Sequence, residues 1–526
     1  MVLLYIHIAS TVAQKPFSIT YDSPLKSDQA TCIREWGEGY VIYNAAFCVD
    51  SITDTITDKC RAIIRTDRNG TVLWDKVIHH QYRQTDVGTD LLHVYKGNLY
   101  VGFSKYDRGQ KDPQYMVIQK YSQDGKLLWM TSIKSDNTLI LKTFAITELG
   151  NIICAGFWAD GKVTKAFVAK VDTSGKVLWK RKWFNIEKFS QLEPKTVYPL
   201  PNEEFLMTTT YCDWVCLRRG RHLWKMNAQG DSIWRKTISA PGYIRTSTFK
   251  PSAILLDDGN YAVSFNTGGL IDSTFFYPPC IRAYTPEGDS IWEYCEIPPG
   301  KKGELEISAL IQLIHKTRNG DIIASGNKFR LCRKCKEPDF LDAGWIIRVS
   351  PEGKMIWQRH INFDLNPYFK YFHIADVLED AEGNIVAVGT ATDTIPGIHP
   401  PRSKPLIWIL KLTPDGCLLP NCSEDFQFIS DYVSSAIRPI YPVAAPDKLY
   451  INPNPTSGVL SVRSLNGKRI QSYSLYNLFG QVIERKKLRP SAHQVHLNLS
   501  NQTKGIYIIR VRLDNNQILQ SKIIKQ

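Results

Sequence analysis

A Gly followed four residues later by Trp occurs six times in this chain, at Gly70/Trp74, Gly125/Trp129, Gly175/Trp179, Gly230/Trp234, Gly288/Trp292 and Gly353/Trp357. The surrounding strings match closely, from Asn69-Gly-Thr-Val-Leu-Trp74 and Ser174-Gly-Lys-Val-Leu-Trp179 to Glu287-Gly-Asp-Ser-Ile-Trp292. Trp-to-Trp steps are 55, 50, 55, 58 and 65 residues. A seventh copy begins at Asp415-Gly416 but continues Cys-Leu-Leu-Pro420 and has no Trp. A period of this size marks a repeat architecture in which no unit buries its apolar faces alone.

A second string alternates with the first. Gly150-Asn-Ile-Ile-Cys-Ala-Gly156, Gly320-Asp-Ile-Ile-Ala-Ser-Gly326 and Gly383-Asn-Ile-Val-Ala-Val-Gly389 are its clearest copies. Gly97-Asn-Leu-Tyr-Val-Gly102 and Gly259-Asn-Tyr-Ala-Val-Ser264 belong to the set, with Asn202–Met207 and Gly39–Tyr43 as looser members. Gly-Asn before β-branched residues is a turn entering a strand, and Asp-Gly reverses the chain into the strand that carries Trp. Each unit therefore supplies about four short antiparallel strands, the content of a propeller blade. An all-β fold is expected: a β-propeller over residues 14–425, closed by strands from both termini. Seven blades are expected, with six or eight compatible with the weakly marked ends. The recurrent Trp is expected to pack between neighbouring blades, since a ligand site needs no indole at every step.

Size and composition fit that reading. The 526 residues are 43% hydrophobic with 13 Trp and 25 Tyr, enough for a large β core. Val2–Ala9 is a short apolar run followed by small residues at Thr11-Val-Ala13, so residues 1–13 are expected to be a signal peptide, although no Lys or Arg precedes the run. The net charge of +14 is unevenly spread: residues 447–526 carry +10, leaving +4 for the preceding 446. With the basic excess in the tail and no Lys/Arg stripe in the body, nucleic acid is not expected as a partner.

Twelve cysteines in an exported chain read as disulfides. Candidate pairs are Cys280/Cys295, Cys332/Cys335, Cys212/Cys216, Cys417/Cys422 and Cys48/Cys60, with Cys32 and Cys154 left over. Cys280 and Cys295 flank a Pro286-Glu-Gly-Asp289 turn at their midpoint and should face each other across a hairpin. Cys332-Arg-Lys-Cys335 has zinc-knuckle spacing, but no second CxxC or His pair completes four ligands, so no metal is expected.

No G-x-S-x-G, Walker loop or H-E-x-x-H occurs, and no catalytic residue or cofactor is assigned. Asp50, Asp54 and Asp58 lack the ligand loop of a calcium site, and the adjacent His79 and His80 point to opposite strand faces. The Asp-Gly-x-Leu-Trp units are similar in architecture to the tryptophan-docking repeats of pyrroloquinoline-quinone enzymes, but the vicinal Cys-Cys pair of those enzymes is missing here. Two functions stand open: a module binding a glycan, peptide or protein at one face or across the central channel, and an exported hydrolase or lyase whose acids meet only in space.

Residues 426–446 end in Pro439-Ile-Tyr-Pro442-Val-Ala-Ala-Pro446 and read as a linker. Beyond it, residues 447–526 alternate as about seven short strands, an Ig-like sandwich. Three motifs follow in order: Pro453-Asn454-Pro455-Thr-Ser-Gly458, Tyr476-Asn477-Leu-Phe-Gly480 and Gly505-Ile506-Tyr507, before a closing Lys522-Ile-Ile-Lys525. This set resembles the type A C-terminal sorting domain of type IX secretion cargo. The resemblance implies recognition by the type IX machinery, passage through the periplasm of a Gram-negative cell, and release or attachment to surface lipopolysaccharide. It also implies that the domain is usually removed.

Overall fold

The computed structural model describes residues 16–21, 26–49, 56–81, 90–106, 114–135, 138–159, 164–182, 191–212, 219–242, 251–266, 269–271, 274–276, 278–296, 306–331, 340–363, 369–394, 403–418, 422, 426–429, 433–434, 449–464, 469–477, 481–514 and 518–526. The expected signal peptide and the Cys332/Cys335 pair lie outside the described residues. The chain forms two compact units, Met1–Ile437 and Arg438–Gln526.

Among the described residues, the first unit contains seven antiparallel four-stranded blades. Blade 1 runs Lys26–Glu35, Gly39–Val49, Ile56–Asp67, Val72–Gln81, and blade 2 runs Leu92–Tyr95, Asn98–Tyr106, Gln114–Tyr121, Leu127–Ile133. Blades 3 and 4 begin at Thr138–Ile146 and Gln191–Pro199 and end at Val177–Lys182 and Ser232–Gly242. Blade 5 begins at Ser252–Leu255 and ends at Ser290–Cys295, with a small hairpin of Gly269–Ile271 and Thr274–Phe276 inserted. Blade 6 spans Glu306–Lys316 to Met355–Phe363. Blade 7 takes Phe369–Glu379, Ile385–Thr394 and Ser403–Leu412, and its fourth strand is the N-terminal Phe17–Tyr21, paired antiparallel with Ile407–Lys411. The last unit lacks its Trp string because blade 7 takes its fourth strand from the N-terminal segment.

The Asp-Gly turn builds each outer hairpin. In blade 3, Gly175 has φ 92° and its N–H donates to Asp172 O at 3.0 Å; the carboxylate of Asp172 accepts from the backbone of Ser174 and Lys176, both at 2.9 Å. Left-handed backbone at that position favours Gly. The same Gly also receives the Trp of the preceding blade. A Cβ on Gly175 would fall 3.2 Å from Trp129, one on Gly230 2.7 Å from Trp179, and one on Gly416 2.9 Å from Trp357. The indole N–H of Trp179 donates to Ala228 O at 3.2 Å, and that of Trp234 to Pro286 O at 3.0 Å. Gly-x-x-x-Trp is therefore one half of a seam: the Gly accepts the previous blade's ring and the Trp reaches the next blade's turn, although at Gly288 the Lys236 stem takes the place against the Gly while Trp234 bonds Pro286 O. The indoles pack between blades, at the half-buried periphery rather than in the deep core.

The seventh seam keeps this design with another residue. Blade 7 lacks the Trp, and Phe17 of the N-terminal strand lies against Gly70 of blade 1, 2.6 Å from its would-be Cβ. Deeper in that seam, Tyr21, Ile33, Ile42, Val388 and Ile407 form a buried cluster joining blades 7 and 1. The ring is closed.

Within residues 426–446, two short strands are described. Phe426–Ile429 adds in parallel to the outer strand of blade 6, and Val433–Ser434 adds in parallel to Phe17–Tyr21. Outer strands expose unpaired backbone groups that a passing segment can satisfy, and these two short strands do so in blades 6 and 7.

The described residues of the second unit form a seven-stranded sandwich. One sheet pairs Leu449–Asn452, Val459–Ser464 and Gln494–Asn498; the other orders Val482–Ala492, Ile470–Asn477, Gly505–Leu513 and Ile518–Lys525. Leu460, Val462, Leu475, Tyr507, Ile509 and Ile523 fill its core.

Candidate functional site

The first strand of each blade lines the central channel, and a repeated kink decides what these strands present. In blade 7 the ladder slips between Ile374 and Asp376, opposite Gly389. A Cβ on Gly389 would sit 1.8 Å from His373 O, so only Gly permits that approach. Gly156 and Gly326 face equivalent slips in blades 3 and 6. A β-bulge inserts one residue and flips the following side chains to the other face. Ile374 and Val377 accordingly both pack toward blade 6, while Asp376 turns toward blade 1. The closing Gly of the second repeated string thus encodes the bulge.

Asp376 is fully buried and joins its own blade to blades 1 and 6. Its carboxylate accepts from the Ile33 N–H of blade 1 at 3.0 Å and from its neighbour Val377 N–H at 2.9 Å. It pairs with Arg34 of blade 1 at 2.5 Å and with His315 Nε2 of blade 6 at 2.6 Å. The second arm of Arg34 pairs with Asp90, leading into blade 2, and His93 Nε2 stands 3.4 Å from the same Asp90 carboxylate. Burial alone would raise the Asp376 carboxyl, but Arg34, His315 and the donated hydrogen bonds outweigh it and hold it at about 2. Burial pushes His93 below the usual imidazole value despite Asp90. Burial, reinforced by Asp90 and Asp376, pushes the adjacent Cys32 thiol up to about 12.

Arg34, Asp90, His93 and His315 border a cavity of about 360 Å³ lined by first-strand residues of six blades, with Tyr95, Tyr198 and Lys316 on its wall. Elsewhere on the first strands, the bulged Lys142 and Lys195 each hold Glu193 at 2.8 Å. Burial would raise Glu193, but Lys195 and Lys142 bring it down to about 2. None of these residues stood out in the sequence, since each blade contributes only one or two; the closing Gly of each second string was the available signal.

The cysteines are placed as follows. Cys280 and Cys295 are directly opposite in blade 5 and bonded, S–S 2.03 Å, and Cys417–Cys422 is bonded as well. Cys212 is disulfide-bonded, while Cys216 lies outside the described residues. Cys48 and Cys60 lie on paired strands, with Ala46 rather than Cys48 opposite Cys60. Cys32 and Cys154 are free and buried in the same apolar cluster.

In the sandwich, the first and last motifs meet. The Asn454 amide donates to Lys522 O and its carbonyl accepts from Ile524 N–H, both at 2.8 Å; Pro453 and Pro455 flank it on an exposed turn. The Thr456 hydroxyl accepts from Gly458 N–H at 3.0 Å. Asn477, next to Tyr476, accepts from Gln481 N–H at 3.0 Å, with Gly480 outside the described residues. Tyr507, after Gly505 and Ile506, is buried and donates to Thr503 O at 2.7 Å.

Residues 449–526 match the family described as the secretion system C-terminal sorting domain. No curated protein matches the chain. Among solved structures, the chain is similar to the polysaccharide lyase Uly1 at 9% identity, covering 75% of this chain and 91% of that one, TM-score 0.41. It is also similar to the β-propeller domain of the Trilobed protease from Pyrococcus furiosus at 9% identity, covering 73% and 94%, TM-score 0.37. A third is an α-L-arabinanase from Penicillium chrysogenum at 13% identity, covering 59% and 90%, TM-score 0.34. Residues 449–526 thus belong to the C-terminal sorting domains of the type IX secretion system, and they direct a β-propeller to the cell surface or extracellular space.

Proposed function

We propose that this exported propeller is a binding module that takes a glycan, peptide or protein ligand at its central channel. The observation that carries this reading is the lining of the cavity, and the state of two acids on the first strands supports it. Asp376 and Glu193 are both held near 2 by cations in contact with them. A glycosidase needs one carboxylic acid kept protonated near neutral pH to donate to the leaving oxygen, and these two are tuned the opposite way. The cavity wall offers instead the features of a recognition site: Tyr95 and Tyr198 beside the fixed donors of Arg34, His315 and Lys316.

One arrangement favours the second reading, an exported lyase. His315 is oriented by Asp376 through Nε2 and is partly exposed at the cavity, the geometry of a positioned base. The test is a glycan-array and extracellular-protein binding screen with the full chain, run beside polysaccharide substrates followed by reducing ends and by the ultraviolet absorbance of unsaturated uronates. Saturable binding without turnover, weakened by His315→Ala, supports the module. Turnover abolished by His315→Ala assigns the lyase. Removal of the sorting domain and its attachment to lipopolysaccharide are proposals carried by the family likeness, and the mass of the exported form tests both.

A further inference from the structure

The body of the chain shows no basic stripe in sequence, yet folding assembles one on the flank of blades 2 and 3. Two rings each carry two lysines. Tyr115 lies under Lys105 and Lys134, whose ammoniums stand 5.8 and 5.1 Å from the ring centroid. Trp158 lies under Lys165 and Lys182 at 5.2 and 5.5 Å. Lys180 joins the two groups: its ammonium donates to Lys134 O at 2.9 Å, and it shares a strand face with Lys182 two residues on. Among the described residues, no carboxylate pairs with Lys105, Lys134, Lys180 or Lys182; the one ion pair of this outer strand is Arg181 with Asp231 at 3.8 Å.

From this surface we infer a second binding site, outside the channel, for an acidic polysaccharide carrying carboxylate or sulfate groups. The rings are only 5–6% exposed, so they serve as pads that steer the lysine stems and are not free to stack on bases. Single-stranded nucleic acid recognition relies on exposed aromatic platforms. What remains accessible is a row of compact ammonium charges, suited to point contacts with anionic groups spaced along a polymer. Export to the cell exterior gives the patch access to extracellular anionic glycans.

The test uses the full chain titrated with dextran sulfate and with polygalacturonate, with neutral dextran and duplex DNA as comparison arms. The patch variant is Lys134→Glu/Lys180→Glu/Lys182→Glu. Because the sorting domain is also basic, a control of equal charge change is Lys486→Glu/Lys487→Glu/Lys504→Glu, all exposed. Should the triple Glu variant fail to fold by tryptophan fluorescence, the three Gln substitutions replace it. The expected result is salt-dependent binding of both polyanions, weakened about tenfold or more by the patch variant and by less than about threefold by the control. Equal losses in both variants, tighter binding of duplex DNA than of either polysaccharide, or no binding to either polysaccharide would overturn the inference. None of these outcomes touches the channel ligand, whose loss follows His315→Ala instead.

Discussion

Replacing Trp179 by Ala removes one inter-blade seam and leaves every strand intact. Its indole is half-buried, so roughly 100 Å² of apolar surface is lost from the contact, about half of a full Trp. At about 25 cal/mol per Å² that is about 2.5 kcal/mol. The hydrogen bond to Ala228 O adds about 1 kcal/mol. All 13 tryptophans lie at or before Trp408, so fluorescence reports the propeller alone. The expected effect of Trp179→Ala is a urea midpoint lowered by about 1 M at an m-value of about 3 kcal/mol/M. Leu178→Ala, its neighbour at 49% exposure, is expected to change stability by less than about 0.5 kcal/mol. Gly230→Ala sharpens the test, because the new methyl would meet Trp179 at 2.7 Å. In the Trp179→Ala background that clash is gone, so the two substitutions are expected to be less than additive by about 1 kcal/mol or more. If Trp179→Ala matches Leu178→Ala, or the double variant is strictly additive, the seam argument is refuted.

Asp376 has its folded pKa depressed to about 2 from an ordinary 3.8, so its contribution is present above pH 4 and is lost as pH falls toward 2. Asp376→Asn is therefore expected to destabilise the ring at pH 7 by about 3 kcal/mol or more and to flatten the stability profile between pH 4 and 2, read by urea melts across pH. Phe17→Ala is expected to lower the stability of the propeller by about 2 kcal/mol, whereas Val459→Ala, exposed in the sandwich, is expected to leave it unchanged. Burial pushes the Cys32 thiol up to about 12 and raises Cys154 as well; both are expected to resist a thiol reagent at pH 8 until urea unfolds the ring, as peptide mapping by mass spectrometry would show. Labelling of either in the folded protein would contradict their placement.

The architecture was largely legible because it is periodic. Gly175 and Trp179 recur as a pair, and a pair repeated at blade spacing announces both the turn and the seam. Glu203 shows why one copy looked loose: it takes the left-handed backbone, φ 62°, that Gly150 and Gly259 supply at the same turn of the neighbouring blades. Phe17 could not be foreseen as the missing seventh aromatic, since it stands some 400 residues from the string it completes. The Asp376 cluster was hidden for the same reason. Arg34, Asp90, His315 and Asp376 come from four separate blade units and meet only once the ring closes. The pairing of Phe426–Ile429 was not legible, because it satisfies an outer strand's backbone and leaves no mark on composition.

Ring closure by the N-terminal strand is tested most directly by hydrogen exchange at Phe17–Tyr21. Paired with Ile407–Lys411 on one side, these amides are expected to exchange as slowly as those of Ile407–Lys411 themselves, at the rate of global opening. Exchange at the rate of a free chain terminus, with Ile407–Lys411 still protected, would contradict a seventh blade shared by both ends of the propeller.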